Sequence, residues 1–113
     1  MRKLFLESIL NWDNRYFDSI FNKEINNLSF ERLQLLKAMK NGSYLHDEPV
    51  KTIILNKEKN GQYAFIKTGV FFYSSIGGCN CSDEAVNQNN LDEYCELLLK
   101  LKADGQLIDI NLV

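Results

Sequence analysis

Large apolar side chains return every three or four residues between positions 3 and 28. Phe5, Ile9, Trp12, Tyr16 and Ile20 form one stripe, and Leu10, Phe17, Phe21, Ile25 and Leu28 form a second beside it. A spacing of 3.6 places such residues on one helical face. Asn11 and Asp13 are cap candidates within the stretch, so the pattern predicts two helices, over 2–10 and 14–26. Ser29 is the next N-cap candidate, with Glu31 in the first turn, where the helix dipole favours an anion. Phe30, Leu33, Leu36 and Met39 extend an apolar face, Lys37 and Lys40 suit a last turn, and Gly42 stands where a left-handed cap would end a third helix near 41.

Beyond position 50 the period falls from 3.6 to 2. Residues 50–57 are β-rich, and Asn60-Gly61 is a short hairpin signal in which both turn positions take positive φ. Residues 62–74 are apolar on both parities, Tyr63, Phe65, Phe71 and Tyr73 against Ala64, Ile66, Val70 and Phe72. This marks a central strand, bent at Gly69. Cys95, Leu97, Leu99 and Leu101 alternate with Tyr94, Glu96, Leu98 and Lys100 in a strand over 92–101. Asp104-Gly105 then returns the chain as 106–113, with Ile108, Ile110 and Leu112 on one face and Asp109 and Asn111 on the other. The expected fold is α+β: N-terminal helices (1–42) packed on one face of a four-stranded antiparallel sheet (50–113), in one domain of 113 residues.

Composition narrows the partners. A hydrophobic fraction of 45% fits a folded domain, and a formal charge of −2 supplies no general attraction for phosphate backbones or anionic lipid, so neither nucleic acid nor membrane is expected as a partner. Met1-Arg2-Lys3 with Leu4-Phe5-Leu6 imitates a secretory signal, but Glu7 interrupts the apolar run. The expectation is a cytoplasmic protein with reduced thiols, in which three cysteines make a structural disulfide a poor choice.

The segment between the two long strands is the unusual stretch. Gly77-Gly78 permits a sharp turn just before Cys79 and Cys81, and Cys95 opens the following strand. Thiolates are soft ligands for tetrahedral zinc, so Cys79, Cys81 and Cys95, completed by Asp83 or by His46 from the 43–49 connection, make a candidate metal site. Two other readings compete. Cys95 shares the parity of three leucines and reads as a small buried hydrophobe, which leaves a metal-free protein-interaction module, an inhibitor or adaptor. Alternatively, a thiol beside the Gly-Gly turn with a second two residues on would suit redox chemistry, against which the acids Asp83 and Glu84 work by destabilising a thiolate. A single histidine is a thin basis for an enzyme, and His46 reads equally as a loop residue bonded to backbone. Asp83, Glu84, Asp92 and Glu93 read as a solvated acidic rim, and the final strand offers an edge that a second copy or a protein partner could extend.

The combination of Asp47-Glu48-Pro49, Val70-Phe71-Phe72-Tyr73, Gly78-Cys79-Asn80-Cys81-Ser82-Asp83 and Glu93-Tyr94-Cys95 resembles a group of small uncharacterised bacterial proteins with a G-C-x-C-x-D loop followed by Y-C. The resemblance covers about residues 46–113 and implies a bacterial, cytoplasmic single domain with no stated activity. This chain has Asp83-Glu84-Ala85 where that group carries Asp-Asp-Pro. The resulting expectation is a small zinc-binding protein with a structural or regulatory role.

Overall fold

A computed structural model describes residues 3–42, 44–46, 48–75 and 91–113. Three short helices, α1 (Leu6–Leu10), α2 (Phe17–Ile25) and α3 (Leu35–Ala38), precede strands β1 (Tyr44–Leu45), β2 (Lys51–Asn60), β3 (Tyr63–Ser75), β4 (Leu91–Lys102) and β5 (Leu107–Leu112). All pairings are antiparallel. β4 lies along one edge of β3, while β2 and the two-residue β1 share the other, so the sheet is effectively four strands wide. It curls into a half-barrel. Residues 76–90, which carry Cys79, Cys81 and Asp83, lie outside the described residues.

The helices cover one face, as the pattern predicted. Phe5, Phe17, Phe21, Ile25, Leu33 and Leu35 are buried against Ile66, Val70, Phe72, Leu97, Leu99 and Leu101. Phe5 and Phe21 meet at 5.6 Å between ring centroids, Phe17 and Phe21 at 5.9 Å, and Trp12 stands edge-on to Phe17 at 5.4 Å. Such pairs add about 0.5–1.5 kcal/mol each beyond the area they bury. The Lys57 ammonium lies 3.8 Å from the centre of the Phe17 ring and donates to the Trp12 carbonyl, which seats the helices on β2.

The helices are shorter than their apolar stripes. No side chain caps α1 from its own N-terminus; the Glu24 carboxylate on α2 instead accepts the N–H groups of Glu7 (3.1 Å) and Ser8 (3.0 Å) and the Ser8 hydroxyl (2.6 Å). Ser29 does open a helical turn, its Oγ accepting from Arg32 N–H, but Gln34 adopts φ 61° and ends that turn. α3 therefore spans only Leu35–Ala38, and Gly42 lies four residues past its end rather than capping it.

Strand bounds match expectation to within a few residues, with three local differences. Asn60 pairs with Tyr63, so the first hairpin turns on Gly61-Gln62, and only Gly61 has positive φ, as a type II′ turn requires. The irregularity near Gly69 falls on the partner strand, between Ile54 and Asn56 of β2. A second register shift, between Lys100 and Leu101, leaves Ile108 exposed while Ile110 stays buried. In the last hairpin Gly105 has φ +94°, and its carbonyl accepts Phe5 N–H at 2.9 Å. A Cβ there would lie 2.5 Å from the Leu6 backbone, so glycine lets α1 start directly on the β4–β5 turn.

Amide side chains from the helical region close most of the sheet margin. Asn26 pairs with both backbone groups of Val50, accepting its N–H at 2.7 Å and donating to its carbonyl at 3.0 Å, and Asn22 Oδ1 accepts Thr52 N–H at 2.8 Å. Gln34 Nε2 donates to the Ile110 carbonyl (2.7 Å) and Asn41 Nδ2 to the Asp92 carbonyl (2.8 Å). Groups that would otherwise invite an extra strand are thereby occupied. The unusual backbone of Gln34 is what carries its amide to the β5 edge.

Candidate functional site

Alternation along β3 and β4 sends consecutive residues to opposite faces. Ala64, Ile66, Thr68, Val70, Phe72 and Ser74 face the helices with Glu93, Cys95, Leu97, Leu99 and Leu101. Tyr63, Phe65, Lys67, Phe71 and Tyr73, with Asp92, Tyr94, Glu96, Leu98 and Lys100, form the other face, and no helix covers it.

That outer face differs between its two ends. Near the β2–β3 turn the Lys100 ammonium lies 4.4 Å from the Tyr63 ring centre and 6.0 Å from that of Phe65, laying its aliphatic stem along the sheet. In the middle, Lys67 pairs with Glu96 at 3.8 Å. At the far end nothing comparable shields Ile53, Phe71, Tyr73 and Tyr94, which are each 38–44% exposed. Phe71 and Tyr94 sit with ring centroids 4.8 Å apart. Tyr94 is laid over Gly69, where an added Cβ would come within 2.4 Å of its hydroxyl oxygen, and it donates to the Glu96 carboxylate at 3.0 Å. These side chains line a groove of about 890 Å³ with Pro49, Lys51, Lys40, Asn41 and Asp92, within the range of ligand clefts.

Glu93 holds one margin of this groove in place. Its carboxylate, 3% exposed on the helix side, accepts Lys40 N–H (2.9 Å), Asn41 N–H (2.7 Å), Gly42 N–H (3.1 Å) and the Ser74 hydroxyl (2.7 Å). Burial alone would push its pKa up, but these four donors together hold it below its ordinary 4.5. Expected to be part of a solvated rim, Glu93 is instead the clamp that fastens the segment after α3 to β4. Its parity with Cys95 and Leu97 was the signal for this.

The thiol candidates separate. Cys95 is buried opposite Val70 on the helix side, where burial first and the Glu96 carboxylate second, partly offset by Lys40, push its thiol up to about 11. It packs as a small hydrophobe. His46 donates its backbone N–H to the Tyr73 carbonyl (3.0 Å) and holds its ring 3.8 Å from Glu48. From two strand spacings and a three-residue offset, its Cα is roughly 14 Å from that of Cys95. That exceeds what a thiolate and an imidazole can bridge through metal bonds of about 2.3 and 2.0 Å. Cys95 and His46 therefore do not share a coordination sphere, and among the described residues no three His, Cys, Asp or Glu side chains gather around one point. Cys79, Cys81 and Asp83 lie outside the described residues.

The placement of Cys95 has a measurable consequence. In a Cys79→Ser/Cys81→Ser background, the native protein should react with Ellman's reagent at least ~100-fold more slowly than the denatured chain, since only the open form exposes the thiol. Equal rates would put Cys95 at the surface.

No family model matches this chain, and neither the curated proteins nor the solved structures contain a match to it. Among the described residues, no helix is long and apolar enough to cross a membrane.

Proposed function

We propose that the protein is a binding module that docks a protein partner on the far end of its outer sheet face. The observation that carries this reading is the contiguous, unshielded cluster of Ile53, Phe71, Tyr73 and Tyr94 on a sheet whose other apolar surfaces are covered by helices or by lysine stems. Aromatic side chains on a rigid strand lose little conformational freedom when buried, which makes them effective anchors. Exposed apolar clusters of this kind mark interaction sites more often than they arise by chance. No catalytic set accompanies the cluster among the described residues: Cys95 is sealed in the core, and Glu93 has its acceptors occupied.

A photo-crosslinking amino acid in place of Tyr73 tests this in living cells. Irradiation should give one dominant adduct with a defined protein, whereas the same substitution at Lys102, at the opposite end of that face, should not. Identical adduct patterns from both positions would contradict the proposal.

A further inference from the structure

The proposed docking face also carries a charge pattern that specifies its occupant. Lys51 pairs with Phe71 across β2 and β3, and Phe71 pairs with Tyr94 across β3 and β4. On the far margin of β4, Lys40 is fixed by its own N–H to the Glu93 carboxylate. The four side chains thus form one row across the sheet: a lysine, two stacked aromatic rings and a second lysine. At about 4.8 Å per strand, the two cations stand roughly 14 Å apart.

Neighbouring acids do not neutralise them. Glu93 is buried on the opposite face with its oxygens engaged, and Glu96 is bound to Lys67 and to the Tyr94 hydroxyl. Asp92 is exposed but pairs with Tyr73, one step off the row on the same face. Among the described residues, neither Lys40 nor Lys51 forms an ion pair.

Resting on the docking reading above, we infer that the occupant is an extended peptide segment with an apolar or aromatic centre and a carboxylate on either side, about four residues apart. Extended chain advances about 3.3 Å per residue, so carboxylates at i and i+4 span the distance between the lysines while the intervening side chains reach the Phe71 and Tyr94 rings. A helical segment would need about nine residues for the same span. Charge at the two ends sets direction of preference, and the aromatic floor supplies the burial.

Fluorescence polarisation with the full chain tests this, using labelled Gly-Glu-Leu-Phe-Leu-Glu-Gly and two counterparts carrying Lys or Gln in place of both Glu residues. The Glu peptide should bind about tenfold more tightly than the Lys peptide, an advantage that shrinks as salt is raised. The double variant Lys40→Glu/Lys51→Glu should invert that order. Phe71→Ser should weaken all three peptides about tenfold while leaving the denaturation midpoint close to that of the parent. Equal affinity for the Glu and Lys peptides, with Phe71→Ser still weakening both, would overturn the charge assignment and leave the docking face standing. Absence of binding, or binding indifferent to Phe71→Ser, would overturn both. A concentration-dependent dimer in sedimentation, abolished by Phe71→Ser, would make the occupant a second copy and overturn the acidic segment.

Discussion

Replacing Glu93 with Ala should destabilise the protein by about 3 kcal/mol in chemical denaturation, because four donors lose a shared acceptor and two of their partners are charge-assisted bonds shorter than 2.8 Å. The estimate stays below the sum of four separate bonds, since Lys40 and Asn41 are exposed enough for water to reach their N–H groups. Glu93→Gln keeps the shape but not the charge and should cost about half as much. Asp92→Ala, one residue away on the exposed face, should stay within about 0.5 kcal/mol.

The pH dependence follows from the same contacts. The folded pKa of Glu93 lies below its unfolded value of 4.5, so the folded state binds this proton less readily than the unfolded chain. Its contribution is complete above pH 4.5 and is lost as pH falls through the depressed folded value. Wild type should therefore lose stability on acidification in that window, and Glu93→Gln should lose less. Parallel acid profiles for the two proteins would mean that the carboxylate is not the clamp. Because the clamp fixes Lys40 at the groove margin, Glu93→Gln also disturbs one end of the proposed docking row.

The sheet was legible because its period is short and its punctuation is local. Cys95, Leu97, Leu99 and Leu101 could face only one way, and Asp104-Gly105 could only be a turn. The helical region was less so. Gln34 carries no local mark of a left-handed backbone; what holds it there is a hydrogen bond to Ile110, 76 residues further on. Asn22, Asn26 and Asn41 look like solvated polar positions on helices, and only the tertiary arrangement turns them towards unpaired strand groups.

The site divides in the same manner. That Cys95 belongs with the leucines was readable from parity, as was the inward direction of Glu93, whose carboxylate required compensation from somewhere in the chain. The exposed row was not readable, since the two-sided apolar character of residues 62–74 predicts equal burial on both faces. What breaks that symmetry is distribution: the chain has helices enough for one face, and Lys100 shields only one end of the other.

Phe71 and Phe72 are adjacent in sequence, identical in chemistry and opposite in assigned role. Phe72 is 3% exposed and packs beneath the helices, whereas Phe71 is 44% exposed and touches Tyr94 at the rim of the groove. Phe72→Ser removes a buried ring and strands a hydroxyl in the core, which should cost about 4 kcal/mol. Phe71→Ser forfeits a partly exposed aromatic contact and should cost about 1 kcal/mol. Urea denaturation of these two variants beside the parent is the most direct measurement: the account predicts a midpoint near wild type for Phe71→Ser and a large drop for Phe72→Ser. Comparable losses in both would show that the outer ring is part of the structural core, and the docking face would then have no basis.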